Sequence, residues 1–180
     1  MKIIGFVNYN GGCEAVLKGD SCMLNGRKPL FVPDWTQEPV MTPCMILRVS
    51  RLGKEISTRF ADRYYDAVAP GADFAAADLL RDAQTQGKPW TQALAFDYSL
   101  ALGEWLSKEE VKRDGVADEW RDVVWLLTPE EAIAAASKIM TIRQGDLIYI
   151  QAKQAAEPIA REQIIRATKQ GQEKLYCKIK

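Results

Sequence analysis

There is no histidine among the 180 residues. Histidine is the usual general base near neutral pH and the commonest transition-metal ligand, so its absence excludes histidine-based triads, zincin motifs and His-ligated metal centres. Any chemistry would have to come from carboxylates, lysine, cysteine or tyrosine. An excess of charge is missing too. The 24 basic and 24 acidic residues cancel, leaving no global field to draw in nucleic acid or an anionic membrane. The one local imbalance sets Arg161, Arg166, Lys169, Lys174, Lys178 and Lys180 against Glu162 and Glu173. Apart from Tyr176 it has no interleaved aromatics, and it reads as a solvated face.

Long apolar runs are also lacking. Residues 123–127 form one of the longest, far below membrane-spanning length. The apolar start, residues 3–7, is too short for a signal-peptide core and runs into a turn at Asn8-Tyr9-Asn10-Gly11-Gly12. The expected location is the cytoplasm, with no membrane or nucleic-acid partner. No Cys-x-x-Cys pair occurs among Cys13, Cys22, Cys44 and Cys177. In a cytosolic chain all four stay thiols and act as small hydrophobes. Cys177 alternates with Leu175 and Ile179 like the buried face of a strand, and no histidine or cationic neighbour marks Cys44 as a nucleophile.

What is present is an ordinary globular composition, 47% apolar, and a length that suits one domain over residues 1–180. Strands are expected at residues 2–8, from Cys44 to Leu52, from Asp146 to Ile150 and from Leu175 to Ile179, with a short proline-bounded edge at 28–33. On the second of these, Met45, Leu47 and Val49 share one face and Arg48 and Ser50 the other. Ser57 or Thr58 can cap a helix starting at Arg59. Pro70-Gly71 should interrupt the strand that follows. A helix from Ala75 to Gln86 closes at Gly87 and Pro89. Ser107 with Glu110, and Thr128 with Pro129 and Glu131, have the spacing of helix starts, and the second helix presents Ala132, Ile133, Ala136 and Met140 on one face. Short strands interspersed irregularly with short helices indicate an α+β fold with a mixed sheet. Among the tryptophans, Trp90, Trp105, Trp120 and Trp125 suit core or interface packing, and Trp35 suits the surface or a lid.

Two stretches carry a family resemblance. The first runs from Tyr65 through Asp73-Phe74-Ala75-Ala76-Ala77-Asp78-Leu79-Leu80, then Gly87-Lys88-Pro89-Trp90 to Phe96-Asp97, and ends at Leu102-Gly103-Glu104-Trp105. The second is Ser137-Lys138-Ile139-Met140-Thr141-Ile142-Arg143-Gln144-Gly145-Asp146-Leu147-Ile148. Together they resemble the fumarylacetoacetate hydrolase family. The resemblance implies a mixed β-sandwich roll with short peripheral helices and a homodimeric assembly. It also implies a divalent cation, Mg²⁺ or Mn²⁺, held by a Glu-x-Glu pair on one strand and an Asp on another.

Position by position, the chemistry that the resemblance implies is missing here. Counting back from Gly53 puts the Glu-x-Glu pair on Met45 and Leu47. The usual histidine after the opening Asn8-Tyr9 falls on Gly12, the arginine on Ala77, the glutamine on Leu80 and the lysine on Leu94. Ile150-Gln151-Ala152-Lys153 stands for the closing Thr-Gly-Thr-Pro turn. Only Asp73 survives as a ligand, and a lone aspartate there can equally cap a turn or the next helix. Asp78 and Asp97 match as framework. The expectation is a trimmed, catalytically degenerate member with no cofactor, binding a partner, a small molecule or an active paralogue. Tyr9, Arg48 and Asp73 are the candidate contact residues, and Met45, Leu47, Leu80 and Leu94 should pack together where the cavity has closed. The alternative is a metal-dependent hydrolase, decarboxylase or isomerase of a small 2-oxo or β-diketo acid, with Asp34, Glu38, Asp66 or Asp97 supplying the missing carboxylates.

Overall fold

The computed structural model describes residues 1–9 and 11–180. Strand β1 (Ile3–Tyr9) turns back into β2 (Gly12–Lys18), so the expected turn is there, although Asn10 within it lies outside the described residues. Beyond a short helical turn come β3 (Met23–Asn25), β4 (Pro39–Val49) and β5 (Tyr65–Ala76). Helices α1 (Ala77–Gln86) and α2 (Thr91–Leu94) lead to β6 (Leu100–Leu102) and β7 (Leu106–Ser107). Then follow α3 (Lys108–Asp114), α4 (Pro129–Ile139), β8 (Leu147–Gln151), β9 (Glu157–Pro158), β10 (Ile164–Lys169) and β11 (Gln172–Lys178). The main sheet runs β2-β1-β8-β4-β5-β6-β3, with β7 on β5 and β9 on β4, and β10–β11 form a separate hairpin. Pairs β1–β8 and β3–β6 are parallel among antiparallel neighbours, which is the mixed sheet of the expected α+β class.

The sheet rolls up. β2 and β3 stand at opposite ends of the strand order, yet only residues 19–22 join them. In a flat sheet Lys18 on β2 would lie four strands, about 19 Å, from β5. Its ammonium is instead 2.6 Å from Asp73 of β5, so the two strands face each other across an interior. Ile3, Val7, Cys44, Ile46, Leu100, Leu147 and Tyr149 fill that interior. Gly5 permits the closure: a Cβ there would stand 2.1 Å from Cζ of Tyr149, whose ring lies across β1. The outer face carries Met45, Leu47, Val49, Val68, Ile148 and Ile150 beneath Ala132, Ile133 and Ala136 of α4. Further along, Met41, Ala72 and Phe74 lie under Ile165, Ala167, Leu175 and Cys177 of the hairpin.

Local signals set the helix ends. Thr128 and Glu131 form a reciprocal capping box with Pro129 in the first turn of α4, and Ser107 accepts from the Glu110 N–H at the start of α3. Gly87 closes α1 in the left-handed conformation, φ +63°. Other expectations need correction. Residues Thr58–Tyr64 form a 3₁₀ segment, and the Ser57 side chain makes no cap bond. β4 begins at Pro39, earlier than Cys44. β5 runs through Pro70-Gly71 without a break. Pro70 sits between residues 67–68, paired with β7, and 71–73, paired with β6, where its missing N–H leaves no ladder bond unmade. Residues 28–33 contribute one bridge, Leu30 to Ile179. Cys13 is exposed, unlike the other three cysteines, because it lies on the edge strand β2. No helix among the described residues is long and apolar enough to cross a membrane.

Candidate functional site

On the inner face of the roll, Asp73 of β5 pairs with Thr42 of β4, and Gly71 with Cys44. Asp73 is buried, and both its oxygens are taken. Oδ1 accepts from Lys18 Nζ at 2.6 Å and Oδ2 from Gln151 Nε2 at 2.7 Å. Lys18 also donates to the Ser99 carbonyl at 3.0 Å and the Ser99 hydroxyl at 2.9 Å, which uses all three ammonium hydrogens. Ser99 donates onward to the Leu94 carbonyl, and Gln151 accepts from the Asn8 N–H. One hydrogen-bonded network therefore ties β1, β2, β5 and β8 together from inside.

The neighbouring groups are held neutral. Burial first, and then the Asp73 carboxylate, push the Cys44 thiol well above its ordinary range, with Lys18 opposing weakly. The Tyr149 phenol moves the same way for the same two leading reasons. Its hydroxyl is buried near Asp73 and has no hydrogen-bond partner among the described residues.

Above the ion pair opens a cleft of about 360 Å³. Thr42 and Gln151 belong to its lining, while Asp73 and Lys18 lie beneath them. Ala77, Leu80 and Leu94 contribute apolar wall. Tyr9 and Trp90 flank it, with ring centroids 4.8 Å apart. Arg81, the one charged side chain among the lining residues, is neutralised by two 3.0 Å bonds to Glu38. The remaining polar groups are the amides of Asn8, Gln84, Gln151 and Gln154, the Thr42 hydroxyl and the Tyr9 phenol, all neutral. The cleft thus offers apolar surface and neutral hydrogen-bonding groups, with no exposed carboxylate and no unpaired cation among the described residues.

The structure brings some expected residues together and separates others. Ala77, Leu80 and Leu94 converge on the cleft, as does Tyr9. Met45 and Leu47 do not. They lie on the outer face against α4, so the expected packing of these two with Leu80 and Leu94 is wrong, and the cavity has not closed. The residues that face Asp73 are Thr42 and Cys44, each three positions before Met45 and Leu47. An odd shift along a strand exchanges its two faces. Asp73 itself caps nothing; Asp78 instead accepts from the Thr36 hydroxyl and the Gln37 N–H. Arg48 pairs with Asp66 at 2.8 Å and lies over Trp105, outside the cleft lining. The proposed substitute carboxylates stay outside as well. Asp34 and Asp97 are exposed, Glu38 is bound to Arg81 and Asp66 to Arg48.

Sequence reasoning missed Lys18, Ser99 and the role of Gln151. Lys18 is 55 residues from Asp73, and nothing around it marks a buried ammonium. The donors around Asp73 do not fit a divalent ion. No group of three or more His, Cys, Asp or Glu converges anywhere among the described residues. The positions facing Asp73 offer a hydroxyl and a protonated thiol, where Mg²⁺ or Mn²⁺ needs several hard oxygens.

Residues 12–157 match the family described as fumarylacetoacetate (FAA) hydrolase, C-terminal. Oxaloacetate tautomerase FAHD1 of Mus musculus is 26% identical over 143 residues, 73% of this chain. That match takes in 65% of the mouse protein, just under two thirds of its length. Among solved structures, fumarylpyruvate hydrolase from Pseudomonas aeruginosa in complex with Mn²⁺ and pyruvate superposes with a TM-score of 0.79 at 16% identity, over 99% of this chain and 88% of that one. A putative isomerase from Escherichia coli gives 0.82 at 16% identity, over 99% and 91%. At such identities the superpositions speak for the fold.

Proposed function

Since this chain belongs to the fumarylacetoacetate hydrolase family, we propose that it is a catalytically degenerate member whose cleft binds a small uncharged molecule without transforming it. The observation that carries this reading is the state of Asp73. Among the described residues it is the one carboxylate beneath the cleft floor, where Lys18 and Gln151 each bond one of its oxygens. Its charge is already met by the ammonium, and it lies outside the cleft lining, beneath Thr42 and Gln151, which sets it apart from an ion or a ligand above. The lining supports the second half of the proposal. Apolar walls with neutral amides at the edge favour an apolar, planar ligand with one or two hydrogen-bonding groups. A 2-oxo acid would bury its carboxylate there without a partner.

The second reading is a Mg²⁺- or Mn²⁺-dependent hydrolase, decarboxylase or isomerase of a small oxo acid. It draws on the relatives: one is called an oxaloacetate tautomerase, another was crystallised with Mn²⁺ and pyruvate. For this chain it requires Asp73 to release Lys18 and two further carboxylates to move in.

Thermal unfolding of EDTA-treated protein separates the two. Millimolar Mn²⁺, alone or with pyruvate or oxaloacetate, is expected to leave the midpoint unchanged. A ligand found in a panel of neutral aromatic amides should raise it by roughly 5–10 °C at a hundredfold excess over Kd. Ala77→Trp, which fills the cleft, should abolish that rise. A Mn²⁺-dependent rise lost in Asp73→Asn, or metal-dependent oxaloacetate tautomerisation, would sink the proposal.

A further inference from the structure

We infer that the Lys18 ammonium stands where a divalent ion would otherwise sit, as a cation carried by the chain itself; the inference rests on the degenerate-site reading above. Three observations converge on it. Lys18 Nζ meets three oxygens at 2.6, 2.9 and 3.0 Å in a fully buried position facing the inner side of β4 and β5. It reaches that position from the far edge of the sheet, across the interior of the roll. The strand positions facing Asp73 carry the uncharged Thr42 and Cys44.

Charge balance links these facts. A carboxylate buried without a counterion is costly, so Asp73 needs a cation. A monovalent ammonium is satisfied by one carboxylate. Two glutamates at positions 42 and 44 would then leave two uncompensated negative charges, one at the cleft floor and one buried beside it, whereas a divalent ion would need more than Asp73 alone. The residue types at 18, 42, 44 and 73 are therefore coupled. Lys18 with Thr42 and Cys44 is one neutral solution, and a divalent ion with carboxylates at 42 and 44 is the other. They exclude each other, because an ammonium and a divalent ion cannot share the same oxygens. The tethered cation resists chelators. Its three hydrogens are spent, so it has none left for the oxygens of a ligand in the cleft.

Three variants test this, read by thermal unfolding and by loss of the free Mn²⁺ electron paramagnetic resonance signal. Lys18→Met should melt roughly 10 °C below the unmodified protein, because it strands Asp73. Adding Asp73→Asn should recover at least half of that loss. Lys18→Ala combined with Thr42→Glu and Cys44→Glu should take up one Mn²⁺ per chain, while the unmodified protein takes up none. Lys18→Met melting like the unmodified protein, no recovery on adding Asp73→Asn, or a folded triple variant that ignores Mn²⁺ would each overturn the inference. Should Lys18→Met fail to fold, the double variant decides: folded supports the inference, unfolded overturns it. Mn²⁺ uptake with oxo-acid turnover by the unmodified protein would remove the degenerate-site reading and this inference together. A metal-free protein with an undisturbed Lys18→Met variant would remove the inference alone.

Discussion

β4 presents two surfaces that differ by one residue of register and by everything else. Its outward side chains, Met45, Leu47 and Val49, interlock with α4 in a wholly apolar core. Its inward side chains, Thr42 and Cys44, look onto a buried ion pair and the floor of an open cleft. The outer face can be read as pattern, since burial against a helix asks only for apolar residues of suitable size. The inner face depends on which partner each polar group meets across the roll. An apolar strand with one side given to a site looks, residue by residue, much like a strand buried on both sides. Counting back from Gly53 puts the resemblance's ligand pair on Met45 and Leu47, and nothing in the apolar pattern signals that Asp73 and the cleft lie on the other side of the same strand.

The largest effect should come from testing that difference directly. Leu47→Glu places a carboxylate in the apolar core with no partner, at a cost above about 4 kcal/mol, and should give no cooperative melt by circular dichroism. Thr42→Gln puts a side chain of the same length, without the charge, at the floor of the open cleft and should still fold. Equal loss in both would erase the distinction between the faces.

A moderate effect is expected at another lysine–aspartate pair, Lys2 with Asp146. Asp146 accepts from the Lys2 N–H, the Lys2 ammonium and the Arg143 N–H. Burial pulls its pKa upward, but the Lys2 and Arg143 bonds outweigh that and hold it below its ordinary value. A carboxylate with a lowered folded-state pKa contributes stability above its unfolded pKa, and that stability is lost as pH falls through the folded value. Asp146→Asn should therefore cost about 1–3 kcal/mol at neutral pH and flatten the loss of stability below about pH 4. Urea midpoints measured from neutral to acid pH would check it. An unchanged acid limb would mean that Asp146 contributes nothing there.

The smallest effect belongs to Arg48, whose pair with Asp66 is nearly half exposed on both sides. Arg48→Ala should change stability by no more than about 0.5 kcal/mol and leave ligand affinity in the cleft untouched. A loss of affinity would bring Arg48 back as a contact residue.

Much of the frame was legible because its signals are short-range. Thr128, Pro129 and Glu131 announce α4, Gly87 ends α1, and Cys177 with Leu175 and Ile179 marks a buried strand face. The site was legible in part. Ala77, Leu80 and Leu94 could be placed together through the family resemblance, and they do meet at one cleft. The strand β10 was missed although Ile165, Ala167 and Lys169 alternate inward, because a lysine in the pattern reads as solvent-facing. Lys18 was missed for the same reason.

The sequence by itself determined much of the strand and helix frame, the family, and the apolar residues Ala77, Leu80 and Leu94 of one cleft wall. Each depends on residues a few positions apart or on fixed spacing within a motif. Tertiary structure alone decided which face of β4 carries the site, that the cleft stays open, and that Asp73 is answered by an ammonium 55 residues away. Those outcomes follow from how far the sheet rolls and from the need of a buried charge for a partner, and neither can be read from a charge's neighbours in the chain.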